Sequence, residues 1–406
     1  MEVRLGAETS QRRMILYGGL LLLALCCFVS FAALVAFLSG WAPFKLRESL
    51  SASTLPLELV WTYKTQNRLS DPPWYYEDIV LIRSSIPFGE SLRDVRKPDS
   101  WIDAVDAETG KRRWRFTRHS IGVRRPSWQE LDAGDQLIVI SYTEGAIAVL
   151  DAQDGTVEWQ RGPDQVRALI ATDDHLYFGG FGQMRGYDLA TGVWLWETDL
   201  PGESGLELAI DGDQLYALGS KPWILDPTTG EIRAALDEPR SFATMLVSQG
   251  KIFAKGECEE LGQMVAYDAK TGERLWAKPY RPENPYWYPT VVDDTLFLRT
   301  DTGSLVAVST ETGELLWEYR PSAEAQVISK VAVLDDRAYF LVSDKTLRAV
   351  DLRTGEEGGR LQSKYMRSWH DVEPGEPISV PGVAASEHML FVSFGGRTLY
   401  AFAPTK

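Results

Sequence analysis

This chain of 406 residues predicts an all-β fold on three observations: a phrase repeated seven times, two-residue alternation of apolar side chains around each copy, and two part-copies at the ends of the repeated region. The phrase reads Asp-x-x-Thr/Asp-Gly-x-x-x-Trp. It begins at Asp106, Asp151, Asp188, Asp226, Asp268, Ser309 and Asp351, with its glycine at Gly110, Gly155, Gly192, Gly230, Gly272, Gly313 and Gly355. Successive glycines lie 45, 37, 38, 42, 41 and 42 residues apart. That period suits one four-stranded propeller blade; a repeat of paired helices would space its apolar residues every three to four positions.

The strands come first. Thr295 to Arg299, Leu305 to Val308 and Leu315 to Tyr319 place β-branched, aromatic and other apolar residues on alternate positions, as a half-buried strand requires. Between the last two lies the phrase itself, whose glycine tolerates positive φ and whose Asp accepts hydrogen bonds from turn amides. Trp114, Trp159, Trp196, Trp276 and Trp317 follow their glycines by four residues and so recur at one position of the outer strand. Each buries about 150–250 Å², an upper estimate of roughly 4–6 kcal/mol, and is expected to dock blade on blade. Ala234 and Gly359 replace this Trp in two units and Ser309 replaces the Asp in one, which predicts weaker contacts or altered twist there.

The part-copies complete an eighth unit. Met389 to Val392 and Thr398 to Phe402 are two strands with no turn phrase after them, while Leu57 to Tyr63 resembles an outer strand but precedes the first unit. Pairing the two closes an eight-bladed β-propeller and removes an exposed edge.

From Met14 to Phe44 there is no charged residue, and about 20 apolar residues suffice to span a bilayer. A cleaved signal peptide has a shorter apolar region of about 7–15 residues ending at a small-x-small site, and no convincing site precedes Ser39. A lipoprotein needs a small residue before its acylated cysteine, where Leu25 precedes Cys26. The expected organisation is a tail over 1–13, a transmembrane helix over 14–40 that anchors the protein in the lipid bilayer as a single-pass membrane protein, a linker over 41–56 and the propeller over 57–406. Arg4, Arg12 and Arg13 against Lys45 and Arg47 tilt the positive-inside bias slightly toward a cytoplasmic amino terminus, with the propeller extracytoplasmic. Outside the apolar run the only cysteine is Cys258. The net charge of −15 argues against a nucleic-acid-binding surface.

In a propeller, the links from outer to next inner strand and those from second to third strand share one face. All the long segments fall there: 84–100, 117–129, 255–263, 279–289 and 362–377. Loops rich in Trp, Tyr and Arg on a rigid scaffold are where binding surfaces form. Candidate contacts to a partner are Arg281, Tyr286, Trp287, Tyr288, Tyr365, Arg367, Trp369 and His370; the other reading of these aromatics is a plug in the mouth of the central channel. The basic run Lys111 to Arg118, with Arg124 and Arg125, could contact phosphate or anionic lipid, but is more economically the solvated face of an outer strand.

His119, His175, His370 and His388 show no metal-ligand spacing, and there is no zincin motif, phosphate loop or nucleophile elbow. No catalytic, metal-binding or cofactor-binding residue is assigned.

Ala266 to Trp276 (AYDAKTGERLW) and Ala104 to Trp114 (AVDAETGKRRW) resemble the repeat of the PQQ-type (quinoprotein-type) propeller family. The resemblance spans 57–406. It implies two functions. One is that of BamB-like propeller proteins of the β-barrel assembly machinery, which resemble this chain in repeat type and blade count: a non-catalytic scaffold that binds a protein or an envelope polymer. Those relatives are lipid-anchored, where this chain has an apolar run. The other is a PQQ-dependent dehydrogenase with calcium, covered by a ring of two adjacent disulfide-bonded cysteines. Here the only adjacent pair, Cys26 and Cys27, lies in the apolar run, and there is no haem Cys-x-x-Cys-His motif. The expectation is therefore a scaffold without cofactor.

Overall fold

The computed structural model describes residues 50–51, 53–85, 100–117, 130–133, 136–141, 146–162, 168–180, 182–201, 203, 207–237, 245–255, 262–282, 289–322, 324–363 and 380–405. Ser53–Lys406 is one compact unit. Every regular element among its described residues is a β-strand. No helix among the described residues is long and apolar enough to cross a membrane; the span expected over 14–40 lies outside them.

The strands fall into antiparallel sheets that follow one another along the chain, as in a β-propeller. The described strands make eight such sheets, numbered here in chain order. The sixth shows why this sequence folds so. Its strands are Thr290–Val292, Thr295–Arg299, Leu305–Ser309 and Leu315–Tyr319, the last three starting where the alternation predicts. Leu296, Leu298, Val306 and Val308 are buried, because the middle strands pack against neighbouring sheets on both faces. Leu315 and Leu316, on the outer strand, are exposed.

The eighth sheet joins both ends of the unit. Gly382–Ala385, Leu390–Ser393 and Thr398–Pro404 are continued by Leu57–Lys64, with Leu57 opposite Pro404 and Trp61 opposite Ala401. The short innermost strand Gly382–Ala385 carries too little alternation to have been foreseen.

Each phrase forms the same turn. Its glycine N–H donates to the carbonyl of the phrase's first residue at 2.9 Å in all seven copies, and Asp226 and Asp351 each accept two further turn amides at 2.9 Å. Ser309 accepts one, from Thr312 at 3.3 Å. The glycines have φ of 67° to 73°. A second requirement holds for six of them: the indole of the preceding sheet lies on the glycine. A Cβ on Gly313 would sit 2.5 Å from the Trp276 ring, and on Gly155 2.6 Å from Trp114. The indole N–H then donates to the carbonyl just after the phrase's first residue, as Trp276 to Thr310 at 3.1 Å and Trp317 to Leu352 at 2.8 Å. Trp61 belongs to the series, sitting on Gly110 and donating to Ala107 at 2.9 Å. It seals the eighth sheet to the first.

Two seams lack the indole. In the fourth sheet Ala234 lies opposite Ile224, whereas Trp276 and Trp317 face Ala266 and Ala307. The bulk has moved one strand inward, where Ile224 packs with Tyr216, Leu236, Val247 and Ile252. In the seventh, Gly359 faces Ala349 and neither fills the space.

All eight outer strands carry a register shift one residue before the Trp position, at Arg113, Leu195, Leu275 and their counterparts. Such β-bulges twist an edge strand and blunt its tendency to pair with another chain.

Candidate functional site

At three junctions among the described residues, the link leaving a sheet and the second-to-third turns beside it interlock by backbone hydrogen bonds, which sets them on one face. Between the fifth and sixth sheets, Arg281 N–H donates to the Gly262 carbonyl at 2.7 Å and the Arg281 carbonyl accepts from Asp301 N–H at 2.8 Å. Between the sixth and seventh, Val327 N–H donates to Gly303 at 3.0 Å and Ser343 N–H to Gln326 at 2.8 Å. Thr65 N–H and Leu69 N–H do the same with Arg397 and Gly396, at 2.8 and 2.9 Å.

Of the predicted contact residues, Arg281 is described; Tyr286, Trp287, Tyr288, Tyr365, Arg367, Trp369 and His370 lie outside the described residues. Arg281 is held at φ 49° by its two backbone bonds, and its guanidinium pairs with Asp301 at 2.8 Å while staying largely exposed. It offers an anchored cation on the rim. Next to it Tyr280 donates its hydroxyl to the Gly313 carbonyl at 2.5 Å, tying the start of this loop to the sixth sheet's turn.

Three polar clusters near this face are internally bonded. Glu203, in the link after the third sheet, accepts from Ser220 N–H and hydroxyl, each at 2.6 Å, and from the Trp223 indole at 3.0 Å. Burial works to raise its pKa, but the Ser220 and Trp223 bonds win and hold it below the usual carboxylate range. Arg348, buried, donates to Tyr319 and Glu357, each at 2.8 Å, and pairs with Asp344. Burial raises the pKa of Tyr319, which donates to Glu357 at 2.6 Å. Asp103 is fully buried, receives Arg115 at 2.6 and 2.8 Å and accepts from Tyr63 at 2.9 Å. These clusters join adjacent sheets: in two of them a carboxylate is answered by guanidinium and phenol, and in the third Glu203 is answered by a serine and an indole.

The basic run resolves in the same way. Arg113 pairs with Asp78 and Asp106 at 2.7 Å each, and Arg115 stacks on Trp101, 4.6 Å from its ring centroid, while holding Asp103. Two of its guanidiniums are thus committed to carboxylates. Among the described residues no three His, Cys, Asp or Glu side chains are grouped as metal ligands.

Comparison with known proteins accords with this geometry. Repeats and sheets define the class as a PQQ-type propeller. The family model described as Outer membrane protein assembly factor BamB matches residues 57–167, 167–286 and 262–405, and the chain belongs to that family. Proteins called Outer membrane protein assembly factor BamB from Burkholderia pseudomallei and Shewanella oneidensis are 25% and 30% identical over 197 and 258 residues. These matches cover 46% and 57% of this chain, and span 51% and 62% of the relatives' own lengths. In fold, the chain is similar to BamB from Moraxella catarrhalis, with a TM-score of 0.56 at 14% identity over 86% of this chain and 97% of that one. It is similar also to a europium-containing methanol dehydrogenase, with a TM-score of 0.59 at 13% identity over 87% and 95%. The fold by itself serves both assembly factors and enzymes.

Proposed function

We propose that the chain is a membrane-anchored, non-catalytic scaffold of the cell envelope: an eight-bladed propeller closed by Leu57–Lys64 that presents the long loops of one face to a protein partner in outer membrane protein assembly. Membership of the BamB family supports the class of partner. The observation that supports the non-catalytic reading is that Glu203, Arg348 and Asp103, the charged centres of three clusters near that face, are each committed to bonds across elements. The loop residues then supply contact area, with Trp287 and Trp369 as anchors, since binding energy concentrates in buried aromatic and Arg contacts. The uncharged run from Met14 to Phe44 supplies a single-pass anchor.

Capture of partners from detergent-extracted membranes tests this. Trp287→Ala with Trp369→Ala should reduce recovery of a specific envelope protein at least tenfold while leaving the melting temperature within about 2 °C. Undiminished recovery contradicts the proposed face, and loss of glycan binding with the protein partner retained would instead assign an envelope polymer. A second reading, a PQQ-dependent oxidoreductase, draws on the likeness to methanol dehydrogenase; stoichiometric quinone with calcium on the purified protein would establish it.

A further inference from the structure

The first seven sheets join their third and outer strands by a turn phrase because the two strands are consecutive in the chain. In the eighth they are not: Thr398–Pro404 pairs with Leu57–Lys64 from the other end. An indole at position 359 would therefore find no turn glycine in the next sheet. What lies there is the segment just before the closing strand. Thr54 N–H donates to the Arg360 carbonyl at 3.0 Å, and Arg360 N–H donates to the Thr54 hydroxyl oxygen at 3.0 Å. Two residues on, the Pro56 carbonyl accepts Thr405 N–H at 3.0 Å. One short stretch thus grips the outer strand of the seventh sheet and the end of the third strand of the eighth. Leu55 and Leu57 are buried. A Cβ added to Gly359 would come 2.5 Å from the Thr54 carbonyl oxygen and 3.1 Å from the Leu55 Cα. Glycine is required there because backbone, not a side chain, passes against it.

We propose that Ser53–Pro56 is a strap that stands in for the missing turn phrase and holds the seventh sheet to the eighth. Six seams are closed by an indole lying on a glycine, and the fourth-to-fifth by Ile224; this one is closed by chain that can be peeled away. The ring is therefore fastened at two points, the strap on the seventh sheet and the strand on the eighth. Release of the strap frees the first without unpairing the second, so the ring opens first at this seam.

Hydrogen exchange on the full-length protein tests the strap. Gly359→Ala displaces it by collision. Thr54→Pro removes both its N–H donor and its hydroxyl. Gly396→Ala is the control, since a Cβ there meets nothing within 4 Å. Both test variants should exchange at least tenfold faster than wild type in peptides covering Arg360, whose N–H loses the Thr54 hydroxyl, with Thr405 following; Gly359→Ala, which keeps the residue-54 amide, should do so at Thr54 as well. Peptides over Leu315–Tyr319 should be unchanged. Wild-type protection at Arg360 in both variants overturns the proposal, as does equal acceleration at Leu315–Tyr319, which would report general loosening. If Gly359→Ala yields no folded protein, Thr54→Pro is judged alone by the same criterion.

Discussion

The seam between the fifth and sixth sheets and the seam between the fourth and fifth solve one packing problem with opposite residues. In the first, a large outer residue, Trp276, covers a small partner, Ala266, and lies on Gly313. In the second, a small outer residue, Ala234, covers a large partner, Ile224. What is kept is one large apolar side chain in each facing pair. What is lost is the indole's hydrogen bond and its contact with the turn, so the repeat phrase is one solution to a packing constraint, and replacing its Trp need not weaken a seam if the opposite residue grows. Interiors packed as tightly as crystals behave this way.

The sharpest way to break the comparison is to remove the filler from each kind of seam. Trp317→Ala should cost about 3–5 kcal/mol, and Ile224→Ala about 2–5 kcal/mol, measured by denaturant unfolding. In the same experiment Gly313→Ala should cost more than Gly212→Ala. Both sites have φ above 60°, but a Cβ at Gly313 strikes Trp276 while one at Gly212 meets nothing within 4 Å. Equal costs for the two glycines would mean that φ alone, and not the indole, selects the residue.

A smaller effect separates the Asp turns from the one begun by Ser309. Burial acts to raise the pKa of Asp106, but the Thr109 hydroxyl and the Arg113 guanidinium pull it down to about 2. Asp188, Asp226 and Asp351 are lowered chiefly by hydrogen bonds from Thr191, Thr229 and Thr354. Each folded value lies below the unfolded one, about 3.9. The stabilisation is therefore complete above about pH 4 and is lost as pH falls toward 2. Ser309 contributes nothing to this loss. Ser309→Asp should raise the melting temperature at pH 7 by a few degrees and lose that gain by pH 2; a gain that persists at pH 2 would exclude the carboxylate as its source.

Much of the fold was legible because its signals are local. Alternation marked Thr295–Arg299 and Leu315–Tyr319, the phrase fixed the turns, and the unmatched strand at Leu57 pointed to the partner it has at Thr398–Pro404. The unreadable parts are those where the cause sits far away in sequence. Trp61 is a docking indole like the others, yet no turn glycine precedes it by four residues, because its sheet is split between the two ends. Gly359 looks like a defect until Thr54 is placed against it. The candidate face was legible only as loop length and composition: Arg281 proves to be fastened to Gly262 and Asp301, contacts that no periodicity announces.

Closure by the two ends of the unit is the claim on which the rest depends, and a cross-link addresses it directly. With Cys26, Cys27 and Cys258 changed to Ser, Glu58→Cys and Ala403→Cys should form a disulfide under mild oxidation, since these residues face each other across the closing pair. The account predicts near-complete formation of a monomeric cross-linked species with a raised melting temperature. Failure to cross-link in the folded monomer, or cross-links only between molecules, would contradict it.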